Sequence, residues 1–264
     1  MFRGILVRYG FHQTKRQKTL KNQTMINSFL LIGLPYAALF IFLIGSILRI
    51  KYYGYSVTSH SSQFLESDML FWGSRLFHLG IVMLFLGHLI GFLMPGIIIS
   101  LTSSTSGLII VEVTALAFGV LTFVGLVFLI IRRIIVKRLY SVTSKMDIVV
   151  YLVILFQVVT GLMVAYYNRW GSVWFASALV PYLRSIFIFA PDVSVISSMS
   201  LLVKLHAISA FVFVALIPFT RLMHFLVWPV YYLWRNYQLV IWNRDQKAMR
   251  ASKNTREGVK PINN

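Results

Sequence analysis

The chain has 264 residues, of which 58% are hydrophobic and only 12% charged, yet it carries a formal charge of +18 and a mean hydropathy of +0.77. Soluble domains hold roughly 25% charged residues, so this composition excludes a soluble globular protein and points to an integral membrane protein. The chain has no cysteine, which excludes disulfides and every ligand set built on thiolate.

In chain order, residues 1–24, MFRGILVRYGFHQTKRQKTLKNQT, form a basic N-terminal extension with six positive charges. It contains no apolar run long enough for a signal peptide, and Met25 offers an alternative start. Crossing a bilayer as a helix takes about 20 apolar residues, and five stretches qualify: approximately 28–48, 72–94, 108–131, 147–167 and 201–231. Backbone polar groups in lipid must be satisfied internally, and these unbroken apolar runs lack the alternation of a barrel strand. The expectation is an all-α integral membrane bundle of five transmembrane helices over residues 25–243, with a basic tail over 244–264.

The positive charge has a place in that scheme. Arg132, Arg133, Lys137, Arg138 and Lys145 lie between the third and fourth stretches, and seven more basic residues run from Arg235 to Lys260. Basic clusters in membrane proteins collect on the cytoplasmic side, so they read as a topology signal and not as a nucleic-acid surface. One face of a five-helix chain carries fourteen basic residues and the other eight, which predicts the N-terminus outside and the C-terminus in the cytoplasm. A start at Met25 lowers the eight to two.

Two of the six histidines, His12 and His60, lie in the extension and the first loop. His78 and His88 lie in the second stretch, and His206 and His224 in the fifth. At about 1.5 Å per residue the first pair is about 15 Å apart along its helix and the second about 27 Å. The two helices run in opposite directions, so His78 and His224 fall toward the cytoplasm, while His88 and His206 fall toward the outside. Eighteen residues are five whole helical turns, which places His206 and His224 on one face of a continuous helix. The unequal axial spacings need help from tilt, side-chain reach or a bend, and Pro218, between the two histidines of the fifth stretch, offers a bend.

Ionisable residues inside a bilayer are costly and usually mark function. A single such imidazole is as often bonded to a backbone carbonyl, but four in two depth-matched pairs favour ligation. Zinc asks for three or four ligands in one cluster, whereas haem brings four nitrogens of its own and needs only two imidazoles. Two bis-histidine b-type haems fit best, and a transporter with a histidine proton relay is the reading from another class. Gly73, Gly80, Gly87 and Gly91 would give a flat macrocycle a small-residue face, unless they serve helix packing.

The stretch LHAISAFVFVALIPFTRLMHFLVWPVYYLWRNYQLV, residues 205–240, closely resembles the last membrane helix and exit segment of the respiratory nitrate reductase γ subunit, a dihaem cytochrome b. FLIGSILR at 42–49, SSQ at 61–63 and LFHLGIVMLFLGHLIGFLMP at 76–95 resemble its first two helices and their loop. The resemblance implies a multi-pass protein of a prokaryotic inner membrane in which His78 and His224 ligate the cytoplasm-side haem iron and His88 and His206 the outer one. It implies quinol from the quinone pool as substrate. Electrons would then pass to an iron–sulfur subunit and on to a molybdenum catalytic subunit that reduces nitrate. Arg221 is a candidate partner for a haem propionate, unless it snorkels to the interface. Tyr232, Arg235, Tyr237 and Arg244 would lie where soluble subunits dock.

Glu112, in IIVEVTALAF, matches a family glutamate and is a candidate proton acceptor. Thr114 stands where relatives carry a lysine thought to serve the quinol site. A related complex running toward nitrite oxidation, or a sulfur-linked or disulfide-reducing complex with the same bundle, is the near alternative.

Overall fold

The computed structural model describes residue 25 and residues 27–53 and 66–226. His12, His60, the docking residues from Tyr232 onward and both basic termini lie outside them. The regular structure among the described residues is entirely helical. Among these residues five helices are long and apolar enough to cross a membrane: Phe29–Tyr53, Asp68–Leu93, Thr105–Ile135, Lys145–Tyr167 and Leu201–Phe219. We call these the first to fifth spans; the first four fall within a few residues of their predicted positions.

The fifth departs from expectation. Its α-helix stops at Leu216, a 3₁₀ turn covers Ile217–Phe219, Thr220 is extended at φ −121° and ψ 174°, and a second 3₁₀ turn covers Arg221–Phe225. Pro218 therefore breaks the helix where a bend was predicted. Proline has no N–H to continue the ladder, and the carbonyls released at the break must be satisfied by something else. Arg49 of the first span does this, its Nη1 donating to Pro218 O at 2.5 Å and to Thr220 O at 3.1 Å. Gly45, one turn earlier, leaves room for the proline ring, since a Cβ there would lie 2.9 Å from Pro218 Cβ. The five-turn relation between His206 and His224 falls with the break, because it needed one continuous helix.

The second and third spans approach almost backbone to backbone. A Cβ on Gly80 would collide with Thr122, lying 2.7 Å from its amide nitrogen, and one on Gly125 would lie 2.7 Å from Phe77 Cα. Close approach through small residues is how membrane helices gain packing when lipid gives them no hydrophobic drive to associate. Gly73 meets Phe128 and Leu129, and Gly91 meets Phe175. Three of the four glycines read as a macrocycle face are thus taken up by packing, and only a Cβ on Gly87 would meet nothing within 4 Å.

Two small cores hold the bundle. Leu126, Ile154 and Val158 join the third and fourth spans, with Phe77 and Leu222 packed against them. The other core lies in residues 168–200, where hydropathy assigns no span. These residues fold as short helices Gly171–Trp174, Val180–Phe187 and Ser194–Ser198, with a π-turn at Phe175–Leu179. Leu179, Tyr182, Ile186 and Ile196 bury against Leu31 of the first span. Tyr182 donates its hydroxyl to Leu31 O at 2.7 Å and Tyr36 donates to Ile186 O at 3.1 Å. Burial pushes the Tyr182 phenol up to about 12, so it remains a donor. Phe40, Leu79, Phe85, Val113 and Leu152 face outward, as suits a bundle whose solvent is hydrocarbon.

Candidate functional site

Two polar clusters mark opposite ends of the bundle, one near His78 of the second span and His224 of the turn beyond the fifth, the other near His88 of the second span and His206 of the fifth. At the end where the second span starts, buried Arg132 forms an ion pair with Glu66 and its Nη2 donates to Glu66 O at 2.6 Å. Burial pushes the Glu66 carboxyl up, but hydrogen bonds from Arg132 and the Met69 amide more than offset this and hold it below its ordinary value. Asp147 accepts from Arg221 Nε at 3.1 Å and from Arg133 Nη1 at 3.5 Å. It also closes a capping box with Ser144 at the start of the fourth span. Arg221, the predicted propionate partner, is tied to Asp147 through Nε; its side chain stays 41% exposed.

His78 and His224 belong to this end. His78 Nδ1 lies 2.7 Å from Ser74 O, one turn back on its own helix, and 3.2 Å from the Ser74 hydroxyl. His224 Nδ1 lies 2.7 Å from Arg221 O. A carbonyl only accepts, so in both rings Nδ1 carries the proton and Nε2 the lone pair, on the edge of the ring turned from the backbone. Phe77 and Leu222, within two residues of these histidines in sequence, pack against the same core, and both imidazoles are exposed.

The other end holds His88, His206 and Glu112. His88 repeats the pattern, with Nδ1 2.8 Å from Leu84 O, and its ring meets Phe175 edge-on at 5.4 Å between centroids. His206 lies on the fifth span. His206 is held differently: Gln157 Nε2 lies 3.3 Å from its Nε2, and Thr160 Oγ1 3.1 Å from its Nδ1. Glu112 accepts from the Ser172 amide at 2.8 Å and the Ser172 hydroxyl at 2.5 Å. Thr114 is exposed while Glu112 is half-buried, and residues two apart on a helix do not share a face. The structure therefore does not bring these two candidates into one site.

Among the described residues no three His, Cys, Asp or Glu side chains gather as they would around a metal ion. The donor chemistry does fit haem, whose iron needs one imidazole Nε2 on each side. Three rings already present that nitrogen with Nδ1 engaged, and the open space at Gly87 borders His88. Sequence reasoning missed Asp147, Gln157, Thr160 and Ser172. A signal existed for Asp147 in the S-x-x-D spacing of its capping box; the others are uncharged residues whose roles depend on distant contacts.

A family model for the nitrate reductase gamma subunit matches residues 27–243. The nitrate reductase gamma chain of Bacillus subtilis is 35% identical over 207 residues, covering 77% of this chain and 93% of that protein. The respiratory nitrate reductase 1 gamma chain of Escherichia coli is 32% identical over 223 residues, covering 81% of this chain and 97% of the relative. A nitrate reductase-like protein of Mycobacterium tuberculosis is 32% identical over 216 residues, which make up 32% of its length.

Proposed function

This chain belongs to the nitrate reductase gamma subunit family, and on that premise we propose that it is the membrane cytochrome b of a respiratory nitrate reductase. It takes electrons from quinol near the outer face and passes them across the bilayer to an iron–sulfur subunit, with nitrate reduced on a molybdenum subunit. When bound, two b haems supply the reversible one-electron couples that connect the two ends. The positive-inside distribution supports an N-terminus outside and a C-terminus in the cytoplasm, and membership of the family supports a prokaryotic inner-membrane location.

The observation that carries this reading is the common posture of His78, His88 and His224, each giving its Nδ1–H to a carbonyl of its own segment. That bond fixes the tautomer, holds the ring plane and makes Nε2 a better donor. His78 and His224 would ligate one iron and His88 and His206 the other. With two imidazoles on each iron no coordination position remains for oxygen, which favours electron transfer. The exposed guanidinium edge of Arg221 would face a propionate while Asp147 keeps its Nε in place. Near the outer haem, Glu112 would take a quinol proton on the carboxylate that Ser172 orients. Thr114 adds no positive charge there, so binding of the quinol oxygen falls to hydrogen-bonding groups.

The test is a reduced-minus-oxidised spectrum of the purified complex with haem quantified per chain, repeated for each histidine replaced by alanine. Two b haems are expected, with His78→Ala and His224→Ala depleting one spectral component and His88→Ala and His206→Ala the other. A colourless complex overturns the reading, and loss of the same component from His78→Ala and His206→Ala overturns the pairing.

A further inference from the structure

The fourth span contributes no histidine, yet it determines how His206 is presented. His206 Nδ1 lies 3.1 Å from Thr160 Oγ1. The hydroxyl hydrogen of Thr160 is already committed to Phe156 O at 2.8 Å. Such a hydroxyl can only accept, so Nδ1 carries the imidazole proton and Nε2 the lone pair. On the other side of the ring Gln157 Nε2 lies 3.3 Å from His206 Nε2, in the place the iron would take once haem is bound, so the amide would have to yield that position. Thr160 is only 4% exposed, and Gly161 leaves space for the ring, since a Cβ there would lie 2.9 Å from His206 Cε1.

The other three imidazoles use a backbone carbonyl of their own segment. His206 uses a side-chain hydroxyl from a neighbouring helix, and a hydroxyl oxygen is a weaker acceptor than a helical carbonyl. An acceptor on Nδ1–H pushes electron density toward Nε2 and stabilises the higher charge of an oxidised iron.

We propose that Thr160 is a positioning residue for the His206 ligand, fixing its tautomer across a helix interface and setting the donor strength of Nε2. This rests on the dihaem reading above. Thr160→Val keeps the shape of the side chain and removes the acceptor; Thr160→Ser keeps the acceptor. Both are made in the assembled complex, and each haem is followed by optical redox titration in membranes. The expected result for Thr160→Val is two haems retained, with an upward shift in the midpoint potential of the one that His206→Ala depletes. The other potential should stay in place, and Thr160→Ser should restore the wild-type value.

Unchanged potentials in Thr160→Val, or a shift confined to the haem that His78→Ala depletes, overturn the proposal. Should Thr160→Val fail to accumulate, Thr160→Cys, whose sulfur is a weak acceptor, is expected to give a smaller upward shift, and no shift overturns the proposal equally. A wild-type complex without haem would instead sink the functional reading on which the proposal stands, so the two failures are distinguishable.

Discussion

Replacing Arg49 with methionine keeps an unbranched stem and removes the guanidinium that closes the break in the fifth span. Two carbonyls are affected, at Pro218 and Thr220, and both are served by the same Nη1. Hydrogen bonds from charged donors are worth about 1.5–3 kcal/mol each, although polar contacts between membrane helices average nearer to ~0.6 kcal/mol. A nitrogen shared by two acceptors counts for less than two full bonds. The expected loss is about 2 kcal/mol, roughly a 30-fold change in the folded-to-unfolded ratio at 1.4 kcal/mol per decade.

Unfolding of the subunit by SDS in mixed micelles reads this loss directly. Arg49→Lys should recover about half, because an ammonium is a more strongly hydrated point charge and gives up more water to reach the two oxygens. Spectra of the same samples should show the haem assigned to His224 depleted before the one assigned to His206, since the break lies between these ligands. Stability of Arg49→Met within about 0.5 kcal/mol of wild type, below the usual range for even one such bond, would refute the clamp. Equal depletion of both haems would refute its local action.

Other outcomes follow from the same geometry. Gly125→Ala forces a Cβ against the Phe77 backbone and should cost about 1–3 kcal/mol in the same assay, as overpacking does, whereas Gly96→Ala, where a Cβ meets nothing within 4 Å, should be neutral. Glu66 has a lowered folded pKa, so its pairing with Arg132 stabilises the fold above the unfolded carboxylate pKa of about 4.3. That contribution is lost as pH falls through the lower folded value, so the stability gap between wild type and Glu66→Gln should be widest near neutrality and close on acidification. Asp147→Asn removes the charge shared by Arg221 and Arg133, leaving Arg133 partly buried beside a neutral amide. Its cost should exceed that of Lys145→Ala on the exposed start of the same helix.

Hydropathy located four spans because lipid demands long apolar runs whatever their sequence. It extended the fifth to residue 231 because an apolar run looks the same whether its backbone is helical or broken. Pro218 was visible as a disturbance; its conversion from bend to break depended on Arg49, 169 residues away in sequence, and on the room left by Gly45. The histidines could be picked out because an imidazole in hydrocarbon needs a reason. The side chains that hold His206 and Glu112 could not, since Gln157 and Thr160 beside the histidine and Ser172 beside the carboxylate are ordinary in composition and gain their roles only from contacts 46–60 positions apart. Arg221 looked free for a propionate because its acceptor, Asp147, sits on another span. The glycines of the second span had two readings from sequence, and packing decided between them at three of the four positions, the third span filling Gly73 and Gly80 and Phe175 filling Gly91.

The seam through Gly80 and Gly125 bears on how the subunit is made. Both glycines lie in the first half of the chain, and the contact needs neither the fifth span nor any bound group. Chains emerge from the ribosome N-terminus first, so the hairpin bearing His78 and His88 can pack before His206 and His224 exist. In the proposed pairing each iron joins one early residue to one late one. Haem insertion thus becomes the closing step of biogenesis, and a nascent chain released before the last span offers only half of either site.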